Sequence, residues 1–169
     1  MPEADARAHG GRRAVADDAA DTDAGAGDAA TLFGLDYGTR RIGLAVGERR
    51  LARARPLAAL ANVNGTPDWT ALDARVEEWR PAGFVVGWPL DADGAEQALT
   101  AHVKGFVKRL GARYGRPVHT VDERFSSIDA GERLAALRAA GQRRRRTSRA
   151  DVDTLAAALI LERWFGGEA

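Results

Sequence analysis

Leu32-Phe33-Gly34-Leu35-Asp36-Tyr37-Gly38-Thr39-Arg40-Arg41-Ile42-Gly43-Leu44-Ala45-Val46 reads as two apolar strands joined by a glycine-bearing turn, with an acid closing the first strand. A carboxylate at the end of a buried strand is costly unless it meets a metal, a cation or a cluster of hydrogen-bond donors. Gly38 and Gly43 permit a tight turn and leave backbone open to a phosphate-sized ligand. Taken alone, Asp36 could equally satisfy turn amides, as Asp often does at strand ends. Acids further along the chain bear on that choice.

Working outward, strand-like runs follow at about Leu51 to Leu57, at Phe84 to Gly87 and at Pro117 to Asp122, with helical patterns between the later ones. The order is βββαβαβαα. Thr66-Pro67 resembles an N-cap with proline at the first helical position, opening a helix through Trp69, Leu72, Val76 and Trp79. A second helix is expected from near Ala95 to about Gly115, and a third from the capping-box-like Ser126 to Asp129. Three strands on short turns predict an antiparallel meander, and the two helix-separated strands predict parallel additions. The expected fold is therefore an α/β mixed sheet of five strands, three antiparallel and then two parallel, flanked by helices.

The last helix begins at a Ser148/Asp151 cap, and Val152, Leu155, Ala156, Leu159, Ile160 and Trp164 define its buried arc. At about 100° per residue, Asp153 falls on the border of that arc and faces inward, whereas Asp151 falls beside Glu162 on the wet side. Arg163 is also placed inward, close enough to the helix end to reach solvent. Asp122-Glu123-Arg124 closes the fifth strand, and alternation sends Asp122 and Glu123 to opposite faces, so one of them joins Asp36. Ligands of α/β sheets gather at the carboxyl ends of strands. Asp36 and Glu123 occupy such ends, and an inward Asp153 completes a cluster of three acids. Oxygen-only ligation selects hard cations such as Mg²⁺ or Mn²⁺. Such ions can activate water against a phosphodiester without a histidine base.

The 169 residues, with 45% hydrophobic content, suffice for one sizeable core. Residues 1–30 are expected to form an acidic, Ala/Asp/Gly-rich disordered tail, with three Arg against seven Asp plus Glu, and residues 31–169 the folded domain, with 22 basic against 17 acidic residues. A moderately basic domain suits a polyanion. The chain has no cysteine, which excludes disulfides, thiolate zinc sites and cysteine nucleophiles. Neither a membrane span nor an apolar signal core is visible, so a cytoplasmic protein is expected. The three histidines, with no Gly-x-Ser-x-Gly elbow, do not suggest a triad.

Gly34 to Val46, Val85-Val86-Gly87-Trp88-Pro89-Leu90 with Asp93-Gly94, Asp122-Glu123-Arg124-Phe125-Ser126-Ser127, and Val152-Asp153 resemble, in order and spacing, the bacterial pre-16S rRNA nuclease family, also called the Holliday-junction-resolvase-like family. The likeness spans residues 31–165. It implies a ribonuclease-H-like fold and metal-dependent hydrolysis of phosphodiester bonds, in trimming the 5′ end of the small-subunit ribosomal RNA precursor. It carries Asp36, Glu123 and Asp153 over as catalytic, metal-holding acids, with Asp122 as a further candidate ligand. The family usually has Lys before its final Val-Asp, where this chain has Asp151; an extra acid there could tune a metal or cap the helix.

The run Arg143, Arg144, Arg145 and Arg146, followed by Arg149, leads straight into the Asp153 helix, and its guanidinium groups suit phosphate oxygens. Arg40, Arg41 and Arg124, next to the acids, are further candidates for nucleic-acid contact. The expected partner is nucleic acid, above all the ribosomal RNA precursor, with the small ribosomal subunit as a further candidate; the oligomeric state is not legible. Alternatives are a junction-resolving DNA endonuclease and a non-catalytic RNA- or ribosome-binding factor. A two-domain actin-like or sugar-kinase fold needs more chain than follows the tail.

Overall fold

The computed structural model describes residues 30–89, 98–122, 132, 133, 135, 136, 139 and 148–167. Strands β1 (Thr31–Tyr37), β2 (Arg41–Glu48), β3 (Arg53–Val63) and β4 (Thr66–Pro67) follow one another, and β2 and β3 are joined by a single 3₁₀ turn, Arg49–Leu51. Helix α1 (Trp69–Trp79), strand β5 (Gly83–Trp88), helix α2 (Thr100–Tyr114), strand β6 (Val118–Asp122) and helix α3 (Arg149–Phe165) complete the described elements. The sheet order is β4-β3-β2-β1-β5-β6. β1 to β4 pair antiparallel, and β5 and β6 run parallel to β1. The expected mixed α/β sheet flanked by helices is present, with six strands instead of five.

The extra strand corrects the expectation for Thr66-Pro67. β3 does not stop near Leu57 but runs to Val63, turns at Asn64 and Gly65 (φ 51° and 74°) and returns as Thr66–Pro67. Asn-Gly supplies the two positive φ values that a two-residue hairpin requires. Proline, which has no N–H to give, is tolerated on this edge strand. The cap of α1 is therefore Asp68, whose Oδ1 accepts from Ala71 N at 3.0 Å. The expected start of α2 near Ala95 and the expected helix opening at Ser126 lie outside the described residues, although Glu132, Arg133, Ala135, Ala136 and Ala139 are helical.

Strand alternation divides the core in two. Phe33, Leu35, Tyr37, Ile42, Leu44, Val46, Phe84 and Val86 pack with Leu72 and Val76 of α1 and with Val103, Phe106 and Leu110 of α2. On the other face Leu32, Val85 and Val121 meet Ile160 and Leu161 of α3. Among the described residues no helix is long and apolar enough to cross a membrane.

Helices α1 and α2 are tied by Asp73, which accepts from Arg113 Nε at 2.8 Å and from the Tyr114 hydroxyl at 2.7 Å. The Arg113 guanidinium, with help from Tyr114, lowers the Asp73 carboxyl from 3.8 to about 2. A depressed carboxylate stabilises the fold fully above its ordinary value and loses that contribution as pH falls toward about 2. Asp73→Asn is thus expected to lower the melting temperature slightly at pH 7, because the pair is solvent-screened, and to melt like the parent at pH 2. Thermal denaturation across that range checks it.

Candidate functional site

Asp36 lies on the same face of β1 as Leu32 and Gly34, four and two residues back. That face is the one covered by α3, because a Cβ on Gly34 would sit 2.5 Å from the Ala157 carbonyl oxygen. Asp36 is the cross-strand partner of Gly43. A Cβ on Gly43 would lie 2.0 Å from the Asp153 carbonyl oxygen, so only glycine lets α3 descend onto β2 at this point. The bare backbone of Gly43 thereby lets the Asp153 backbone pack onto the β2 position that pairs with Asp36, at the carboxyl end of β1.

The Asp153 carboxylate accepts from Arg41 Nε at 3.0 Å, with both side chains about one-third exposed. Arg41 is two residues before Gly43 and shares its face. A carboxylate has lone pairs for a guanidinium and a cation together. The Asp36 and Asp153 oxygens, with neither thiolate nor imidazole beside them in this chemistry, fit a hard divalent ion. Among the described residues no three His, Cys, Asp or Glu side chains converge as a metal site; Glu123 lies outside the described residues, as do Arg124, Arg143, Arg144, Arg145 and Arg146.

Asp122 is described. Val121 packs into the α3 face and the His119 ring lies 4.8 Å from Trp164 of α3, whereas Val118 packs into the opposite core. Alternation therefore directs the Asp122 side chain to the α1/α2 face, away from Asp36. Its carbonyl oxygen accepts from Arg163 at 3.3 Å, so Arg163 turns inward near the helix end as expected.

The position expected for Asp151 needs correction. It is not on a wet side: it is only 8% exposed. Its carboxylate accepts from Ser148 N and Oγ, both at 2.9 Å, while Ser148 Oγ accepts from Asp151 N, a full capping box. The flank carrying Asp151 and Glu162 faces β3: Ala150, Asp151 and Thr154 border a cleft with residues 56–59, and Glu162 Oε1 accepts from Ala54 N at 3.2 Å. A helical wheel built on large apolar residues misses this contact, because small residues make it.

Sequence reasoning also missed Asn62, which is 3% exposed. Its Nδ2 donates to the Gly38 carbonyl at 2.7 Å, and its backbone N–H donates to the Arg40 carbonyl at 2.9 Å. The turn itself closes through Gly38 N to Arg41 O, 2.9 Å. Asn62 thus clamps the loop between Asp36 and Arg41, holding Arg40 exposed at its tip. Nothing in the sequence pattern marks it, since its partners are backbone atoms 22 and 24 residues away. Asn62→Ala leaves the half-buried Gly38 carbonyl without its side-chain donor and is expected to cost about 1 kcal/mol, measurable by urea denaturation. Arg149 is exposed at the start of α3.

A family model described as "RuvX: Holliday junction resolvase" matches residues 30–167. A protein of Azotobacter vinelandii named "Putative pre-16S rRNA nuclease" is 48% identical over 135 residues, 79% of this chain and 92% of its own length. A protein of the same name from Pseudomonas aeruginosa is 46% identical over 135 residues, 79% of this chain and 90% of its own. Among solved structures, Thermus thermophilus RuvC in complex with a Holliday junction substrate has a TM-score of 0.49 at 20% identity, over 82% of this chain and 94% of that one.

Proposed function

The chain belongs to the RuvX family, and from that premise we propose a metal-dependent nuclease that processes the 5′ end of the pre-16S ribosomal RNA in the cytoplasm. The relatives' names support a nuclease of this substrate class. The observation that supports the chemistry is the Gly43 contact: the backbone of Asp153 packs against the cross-strand partner of Asp36.

Asp36 and Asp153, with Glu123 as the third carboxylate, would hold Mg²⁺ or Mn²⁺. When bound, the ion supplies an activated water and charge stabilisation for the leaving oxygen. Arg41 fixes the Asp153 carboxylate through its Nε contact, so that ligand does not need to reorganise. Arg40 and Arg149, both exposed, would take phosphate oxygens, and Arg124 and residues 143–146 would extend that contact. Asp151 serves as a cap and not as a ligand. The ribosomal RNA precursor, free or on the small subunit, is the partner.

The RuvX description favours a second reading, hydrolysis of a four-way DNA junction. End-labelled pre-16S RNA, a four-way DNA junction and random single strands, each with Mg²⁺, Mn²⁺ or EDTA, separate the two. Cleavage near the mature 5′ end of the RNA, abolished by EDTA, is expected. Preferential, symmetric cutting of the junction would replace the RNA reading.

A further inference from the structure

The end of the sheet away from Asp36 carries a second concentration of positive charge that the candidate site does not use. Arg49, Arg50, Arg53 and Arg55 fall within seven residues, on the 3₁₀ turn and the first residues of β3, with one acid, Glu48, immediately before them. Arg50, Arg53 and Arg55 are exposed. Register places Arg55 across from Val46 and Arg53 across from Glu48. Arg55 thereby stands on the α1 face, with its guanidinium 4.8 Å above the Trp79 ring.

Between this turn and the end of α1 lies a cavity of about 330 Å³, walled by residues that include Val46, Glu48, Leu51, Arg53, Arg55 and Trp79. Leu51 at its mouth is 57% exposed. A solvated charge run requires neither a cavity nor an aromatic wall. The volume falls at the lower end of the range for small-ligand sites, and an apolar floor with a ring and a cationic rim matches one unstacked base with its phosphates. A duplex cannot enter such a cavity, whereas single strands are recognised by splayed bases on aromatic walls and by arginine at the backbone.

We infer that this face binds single-stranded nucleic acid, with a base in the Trp79 cavity and phosphates on Arg50, Arg53 and Arg55, as a second contact surface remote from cleavage. The inference rests on the nuclease reading. Gly43 and Glu48 are five residues apart on β2, about 17 Å, so a dinucleotide cannot reach both the carboxylates and the cavity, whereas a longer strand can. The surface therefore favours substrates with an extended single-stranded segment beside the cleaved bond.

The test uses the full chain, an end-labelled single-stranded RNA of about twenty nucleotides, EDTA to prevent cleavage, and a salt series. Each phosphate contact contributes roughly −0.7 to the slope of log affinity against log salt for single strands. The Arg50/Arg53/Arg55→Ser variant should flatten the slope by about 2 units and weaken binding at least tenfold. Leu51→Glu, a change at an exposed position, should weaken binding of the long strand while leaving the cleavage of a dinucleotide in the presence of metal unaffected. With metal, the rate at saturating substrate should persist in both. Unchanged affinity and slope in both variants would overturn the inference while leaving the nuclease standing; a parent protein that binds no RNA would overturn the nuclease reading itself.

Discussion

Asp36→Asn is expected to lose at least about 100-fold in phosphodiester hydrolysis while melting, in metal-free buffer, at or slightly above the parent temperature. The two outcomes share one cause. Asp36 pairs with Gly43, against which the Asp153 backbone packs, and in the proposed site neighbouring carboxylates repel unless a cation lies between them. Neutralising one relieves the repulsion but removes a proposed ligand of the divalent ion on which the proposed chemistry depends. Asp153→Asn should lose activity comparably, and because its partner Arg41 is solvent-screened it should cost at most about 1 kcal/mol. Asp151→Asn separates capping from chemistry: it weakens the Ser148 box, at about 1 kcal/mol, yet should retain much more activity than either. Full activity in Asp36→Asn, with contaminating nuclease excluded, would sink the assignment.

Gly43→Ala should be the most damaging single methyl group in the domain. Its Cβ would stand 2.0 Å from the Asp153 carbonyl oxygen and 2.4 Å from the carbonyl carbon. These are backbone atoms, so no rotamer change relieves the clash; α3 must lift from the sheet. Overpacking of this kind costs about 3 kcal/mol or more, a fall of roughly 10 °C in melting temperature, and the lifted helix carries Asp153 away from Asp36. Gly105→Ala provides the contrast: it lies exposed within α2 with nothing within 4 Å of the added carbon, and should stabilise by about 0.5–1 kcal/mol. Differential scanning calorimetry of both variants, with cleavage assays on whatever folds, checks the pair. Parent-like melting of Gly43→Ala would show that α3 does not rest on β2 at this point.

The parts of this fold legible in the sequence are those whose signals are local and apolar. β1, β2, β5 and β6 are short apolar runs, and the Ser148/Asp151 box announces α3 at its start. β3 was read too short because its second half, Ala58-Ala59-Leu60-Ala61-Asn62-Val63, shows little apolar alternation. The Asn64-Gly65 hairpin signal was overshadowed by the Thr-Pro pair after it, which imitates a helix start. The likeness of Asp36 and Asp153 to a family's catalytic acids was visible; what sets them together was not. Glycine at positions 34 and 43 announces a close approach, but only the fold reveals that α3 makes it. Asn62 acts through backbone partners and leaves no periodic trace. The burial of Asp151 escaped the wheel because small residues form the α3 contact with β3.

Asp36 and Asp153 are proposed to hold a divalent cation jointly. Titrating Mn²⁺ into the full-length parent, Asp36→Asn and Asp153→Asn, and following the electron paramagnetic resonance of the free ion, measures that directly. The parent should sequester the ion, and each variant should bind it at least about tenfold more weakly. Equal sequestration by all three proteins, or none by the parent, would contradict the account.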